Sequence, residues 1–153
     1  MACGIFNYAI ALTETLNIYN VPIFQQEIED VYFDQTSSIE KIYIHQYVSS
    51  IAPAVNYQLS SLISYVVDDD SVHFTAQDGV LYNKDKTCLL AYPGVKTDAL
   101  YAVPDSVVTI APSAFSGNPF IEKVYLGKQV QYISDDAFYH CDKLTTISTI
   151  SST

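Results

Sequence analysis

Cys3 stands in the opening MACGIFNYAI, followed by Gly4 and Ile5. A thiol at an amino terminus can act as a nucleophile whose own processed α-amine serves as the base. Removal of Met1 would expose Ala2, so here the amine would belong to an alanine and not to the cysteine. A second group, Asp68-Asp69-Asp70 with Ser71 and His73, offers oxygen and imidazole donors to a divalent cation. An EF-hand loop needs alternating oxygen ligands, a glycine and a terminal glutamate, and this run has none of that spacing. It reads as a solvated acidic turn with weak, adventitious calcium affinity at most. His140-Cys141 and His45 supply thiol and imidazole, yet no serine sits in a G-x-S-x-G elbow and no glycine-rich phosphate loop occurs. Three cysteines far apart, at 3, 88 and 141, argue against a zinc ribbon or a disulfide framework. The residues point to no catalytic site, no metal and no cofactor.

Composition narrows the partners. The net charge is −10, and all seven basic residues are lysine. Without arginine the chain lacks the bidentate fork that reads phosphate and guanine. An acidic surface also repels nucleic acid and anionic lipid, so neither is expected as a partner. No apolar run approaches the ~18 residues of a membrane span, so no membrane insertion is expected. The first twelve residues lack a basic segment and a cleavage site, so no signal peptide is read. The opening is similar to that of the glutamine-dependent amidotransferases, which begin Met-Cys-Gly-Ile, but their further glycine-rich and asparagine motifs are missing. That enzyme remains a remote alternative.

The elements that position these residues come from a repeat. Ala99–Phe120 and Glu122–Lys143 align without a gap, pairing Val103 with Leu126, Val107 with Val130, Ile110 with Ile133, Ala114 with Ala137 and Phe115 with Phe138. Every pair is 23 apart. The same frame recovers Ile39, Ile42, Ile44, Val48 and Ile51. A further step back lands on Leu16, Tyr19, Val21 and Ile28, and another on Ile5, with Ala9 and Ile10 in the alanine and phenylalanine slots. Strand anchors therefore fall at Leu16, Ile39, Leu62, Asp98, Ile121 and Leu144; the step from Leu62 to Asp98 is 36, marking one enlarged unit. In I-x-x-I-x-I the last two apolar residues face one side of a short strand. One unit cannot bury that side alone, whereas a stack can.

The stretch VPDSVVTIAPSAFSGNP, 103–119, resembles the BspA-like (treponemal-type) repeat of the leucine-rich-repeat superfamily, V/I-P-x-x-V-x-x-I-x-x-x-A-F-x-x-C/N. The enlarged unit resembles that family's insert, in which a DGVLYNKD hairpin precedes a YP turn. The likeness covers Ile39 to Ile150 well and Ile5 to Ser38 loosely. Val55-Asn56 in place of Ala-Phe, Tyr32-Phe33 and Thr149 depart from the pattern. Cys141 takes the family's cysteine or asparagine slot, which implies a structural thiol.

The expected fold is a right-handed leucine-rich-repeat solenoid of five to six rungs, with short β-strands, turns and little helix. It forms a single domain over 1–153: degenerate repeats over 1–38, a repeat over 39–61, the enlarged repeat over 62–97, and two regular repeats plus a final strand over 98–150. A β-hairpin should project from about 78–92, with Asn83-Lys84-Asp85-Lys86 as its turn. The residues alternating with buried strand positions make exposed rungs: Lys41, Tyr43 and His45; Ser64, Val66 and Asp68; Leu100, Ala102 and Pro104; Lys123, Tyr125 and Gly127. Of these, Lys41, Tyr43, His45, Ser64, Val66, Asp68, Lys123 and Tyr125 are the candidate partner-binding residues. Regularly spaced tyrosines serve as rigid anchors, or equally as shields over neighbouring rungs. The resemblance implies a non-catalytic module that binds a protein or glycan at a cell surface or outside the cell, in adhesion or host and matrix recognition. The alternatives are a structural or assembly piece of a longer array, self-associating through uncapped ends, and an intracellular scaffold with free thiols.

Overall fold

The computed structural model describes residues 9–12, 15–18, 27–28, 39–51, 59 and 61–149, with side chains from 39 onward. Its elements are strands: β1 (Ala9–Leu12), β2 (Thr15–Ile18), β3 (Glu27–Ile28), β4 (Lys41–Ile44), β5 (Ser50–Ile51), β6 (Ser64–Val67), β7 (Phe74–Gln77), β8 (Val80–Asn83), β9 (Cys88–Ala91), β10 (Leu100–Ala102), β11 (Thr109–Ile110), β12 (Lys123–Leu126), β13 (Tyr132–Ile133) and β14 (Thr146–Thr149). Among the described residues there is no helix.

Two parallel ladders run along the stack. The first holds the I-x-I strands, in the order β2-β4-β6 and then β10-β12-β14. Ile42 pairs with Tyr65, Tyr101 with Val124, and Val124 with Ile147, each a step of 23. The second ladder holds the short strands, with Ile28 against Ile51 and Ile110 against Ile133 in the same step. A chain that returns every 23 residues stacks like slots on like slots, and this is why the period is legible in the sequence.

The first strands depart from the expected register. Leu16 pairs with Ile42, a step of 26, so it fills the slot of Ile42 and not that of Ile39. A uniform 23-residue step therefore misplaces Leu16 by three residues, while Ile28 keeps its place; Tyr19 and Val21 lie outside the described residues. Ala9 and Ile10 do not begin another rung either: β1 runs antiparallel to β2, with Ala9 opposite Ile18. Only two residues separate these strands, a spacing that favours a hairpin over a parallel return. Ile5, Tyr32-Phe33, Val55-Asn56 and Ile150 lie outside the described residues.

The enlarged unit forms an antiparallel meander of β7, β8 and β9. Asn83 and Lys86 close the second hairpin by a backbone bond of 2.9 Å, at the expected turn. The first hairpin turns on Asp78-Gly79, both with positive φ, 52° and 79°. A two-residue turn with this geometry suits the right-handed twist of its strands. The meander does not project. Val80, Leu81 and Tyr82 are all buried, because β8 has a core on each side. Leu81 faces a core of Ile39, Ile42, Ile44, Val48, Leu59, Leu62 and Tyr65. Val80 and Tyr82 face another, containing Val103, Val107, Ile110, Phe115 and Val124. A strand covered on both faces is apolar at successive positions, and V-L-Y meets that demand. Beyond it β9 joins the second ladder, Leu89 pairing with Ile110.

Aromatic rings fill the second core at the repeat period. Tyr92, Phe115 and Phe138 are spaced by 23, with centroids 4.8 Å apart at each step and planes tilted by 22°. Offset stacks of this kind add about 0.5–1.5 kcal/mol to the area they bury.

Candidate functional site

On β4, Ile42 and Ile44 point inward while Lys41 is exposed and Tyr43 half-buried. On β12, Val124 is buried, Lys123 exposed and Tyr125 half-buried. Period-two alternation therefore places Lys41 and Lys123 at equivalent rungs, and Tyr43 and Tyr125 likewise. Ser64 lies beside Lys41 and Val66 beside Tyr43 by strand register. The eight candidates do not share one continuous sheet, however. Lys41, Tyr43, Ser64 and Val66 belong to the β1-β2-β4-β6 sheet, and Lys123 and Tyr125 to the β10-β12-β14 sheet. Between them the Tyr65 amide donates to the Gly79 carbonyl at 2.9 Å, so the Asp78-Gly79 turn sits against β6 where the next rung would pair.

His45 and Asp68 follow their strands and meet each other, with Nδ1 and Oδ2 3.8 Å apart. The His45 ring lies 4.7 Å from that of Tyr43. Tyr43, His45 and Asp68 thus make one polar-aromatic group at the end of the first sheet. Asp68-Asp69-Asp70 form a turn, in which the Ser71 amide donates to the Asp68 carbonyl at 3.0 Å. Among the described residues no three His, Cys, Asp or Glu side chains gather in a way that could hold a metal ion.

Cys141 is a buried thiol. Its Sγ–H donates to the Phe115 carbonyl at 3.0 Å, and burial pushes its pKa up to about 11. A thiol held protonated in this way is a poor nucleophile. His140 is exposed, with Nδ1 3.9 Å from Asp142. Asn118 occupies the equivalent slot one repeat earlier. Fully buried, it donates to the carbonyls of Pro93 and Lys96 and accepts from the amides of Phe120 and Ile121. Cysteine or asparagine in this slot thus ties a turn to its neighbouring rung.

A polar group absent from the eight candidates lies where the ladders break. The hydroxyls of Tyr82 and Tyr101 are hydrogen-bonded to each other. Tyr92 donates to Asp98 at 3.1 Å, and Lys96 pairs with the same carboxylate at 2.9 Å. Burial raises the pKa of all three phenols, with the Asp98 charge reinforcing it at Tyr92. The Lys96 hydrogen bond holds the Asp98 carboxyl below its ordinary range. The sequence does carry a signal for this group: Asp98 stands where Ile39, Leu62, Ile121 and Leu144 stand in other units.

The family profile described as "BspA type Leucine rich repeat region" matches residues 4–84 and 99–153, in six copies. The chain belongs to the BspA-type leucine-rich-repeat family. Solved structures of the same kind include a leucine-rich repeat protein from Eubacterium ventriosum ATCC 27560, 28% identical with a TM-score of 0.66 over 72% of this chain. The pneumococcal vaccine antigen PcpA is 31% identical with a TM-score of 0.67, again over 72%. A leucine rich cell surface protein from Faecalibacterium prausnitzii A2-165 is 27% identical with a TM-score of 0.67 over 80%. The chain spans only 32%, 27% and 32% of these proteins, in that order. No curated protein matches it. This BspA-type chain thus resembles in fold about a third or less of each of these longer bacterial proteins.

Proposed function

We propose that this repeat module is non-catalytic and binds a protein partner across the solvent side of its first ladder. The observation that carries the reading is the arrangement of that face. Val66 is exposed on β6 beside Lys41 and Tyr43 of β4, and Leu100 and Ala102 are exposed on β10 beside Lys123 and Tyr125 of β12, so each of the two sheets carries the same arrangement. Exposed apolar side chains beside tyrosine and polar ones are a common composition of a protein interface. Half-buried tyrosines lose little conformational freedom on binding and make strong anchors. Placement at a cell surface is supported by a relative described as a cell surface protein, and a role there in adhesion or host recognition is part of this proposal.

Immobilised chain screened against matrix proteins and a glycan panel tests the proposal. We expect a protein ligand whose affinity falls about tenfold or more in Tyr43→Ala and again in Tyr125→Ala. A glycan ligand would retain the face and change the partner class. Binding that ignores both substitutions would remove the face from consideration.

A further inference from the structure

The break in the first ladder leaves one strand edge open in the interior of the chain. The Glu122 and Lys123 amides donate to the Ala99 carbonyl at 2.8 and 2.9 Å, and the Val103 amide donates to the Tyr125 carbonyl at 2.8 Å. Ala99, Tyr101 and Val103 thus turn their backbone groups toward β12, and by alternation Leu100 and Ala102 turn theirs away. Among the described residues β10 pairs with no strand but β12, and no other strand has a Cα within 8 Å of it. The N–H and C=O groups of Leu100 and Ala102 make no hydrogen bond among the described residues. Across the break β6 differs, because Gly79 takes its Tyr65 amide. Both strands lie within 61–149, described without interruption. Open edges are commonly blunted by lysine, proline or a bulge. Ala99-Leu100-Tyr101-Ala102 carries neither charge nor proline, and Leu100 is 50% exposed.

We propose that an extended, lysine-bearing segment of a partner protein adds to the open edge of β10 as a further strand. Leu100 and Ala102 offer it two N–H donors and two C=O acceptors on one side, which is what strand addition requires. Their exposed side chains give it an apolar surface to cover. Charge sets the kind of segment. The stretches on either side of the break, 62–83 and 97–122, hold seven carboxylates and no lysine, so a basic occupant is favoured over an acidic one. Lys96 and Lys128 answer only two of those carboxylates, Asp98 and Asp105. Burial raises the Tyr101 phenol pKa and the Asp78 charge adds to it, which puts that carboxylate beside the break. The same charge disfavours a second copy of this chain, whose net −10 would meet these acids. The site is read from backbone groups and stands apart from Tyr43 and Tyr125.

Titration of the ¹⁵N-labelled full chain with a synthetic hexapeptide alternating valine and lysine tests the proposal. The Leu100 and Ala102 amide resonances should shift, and both amides should exchange about tenfold or more slowly in the presence of saturating peptide. Ala102→Pro removes an N–H that makes no bond within the chain, at an edge position where proline is tolerated, and should weaken binding about tenfold. Circular dichroism verifies its fold. The same peptide N-methylated at its valines should not bind, a test that leaves the protein unaltered. A valine–glutamate hexapeptide should bind about tenfold more weakly than the lysine one. Unmoved Leu100 and Ala102 resonances would overturn the proposal, as would binding that survives N-methylation or a folded Ala102→Pro. Equal affinity for the glutamate peptide would overturn the basic occupant. Protection of these amides that rises with protein concentration alone would put a second copy there instead. Neither the peptides nor the variant alters Tyr43 or Tyr125, so failure here leaves the tyrosine face standing.

Discussion

The two cores of this solenoid share a period and differ in what fills it. The first is mostly aliphatic, with Ile39, Ile42, Ile44, Val48, Leu59 and Leu62 around Tyr65. The second is organised by the Tyr92–Phe115–Phe138 stack and by Asn118 and Cys141 tying the turns. Aliphatic filling asks only for volume and orientation, so it tolerates change and leaves a weak mark on the sequence. Ring stacks and buried amides demand particular residues at fixed spacing. The second core therefore depends on a few positions, and the first on many.

Substitution along the aromatic stack should have the largest effect. Phe115→Ala should cost about 4 kcal/mol in urea unfolding, and Phe138→Ala clearly less because Phe138 is half-buried where Phe115 is fully buried. Equal losses would mean that stacking across rungs contributes little. Next comes Asn118→Ala, which strands two carbonyls and two amides and should cost about 3 kcal/mol. Leu81→Ala should cost about 2–3 kcal/mol, with amide protection falling first in β4 and β6 and last in β12.

Alkaline pH should separate the cores as well. A group whose folded pKa lies above its unfolded value contributes stability at low pH and loses it as pH rises. For Cys141 that loss runs from about 9 to about 11. The raised phenols of Tyr82, Tyr92 and Tyr101 extend it upward in the second core, whereas among the described residues the first core carries one raised phenol, Tyr65. Unfolding monitored above pH 9 should begin in the second core, and simultaneous loss would count against this assignment. At the acid end, the depressed Asp98 carboxyl contributes above its ordinary range and is lost as pH falls below it, a small effect at a half-exposed side chain. The smallest prediction is a gain. His140 holds φ 53° where Gly117 holds 78°, so His140→Gly should stabilise the chain by up to ~1 kcal/mol, read as a raised Tm.

Where the fold requires particular residues, the sequence is legible. Val107, Ile110, Ala114 and Phe115 recur at 130, 133, 137 and 138, and the structure stacks them as the spacing predicts. The turn at 83–86 was likewise predictable. Two things were hidden. The 26-residue step before β4 leaves no mark, because an aliphatic ladder reads equally well three residues out of register when Tyr19 and Val21 are also apolar. The double-faced wall is hidden because V-L-Y equally suits an exposed hairpin, whereas Asp78-Gly79 is the signal of its first turn. The candidate face was half legible. Alternation places Lys41, Tyr43, Lys123 and Tyr125 outward, but the break between β6 and β10 follows from the meander, and His45 and Asp68 leave the strands to pair with each other.

On this structure β8 is an internal wall between two cores. Native-state hydrogen exchange of its amides tests that claim most directly. If Val80, Leu81 and Tyr82 are shared by both cores, their amides should exchange as slowly as those of Ile42 and Val124, only through global opening. Exchange in β8 at the rate of the exposed Lys84-Asp85 turn would show a surface hairpin and contradict the account.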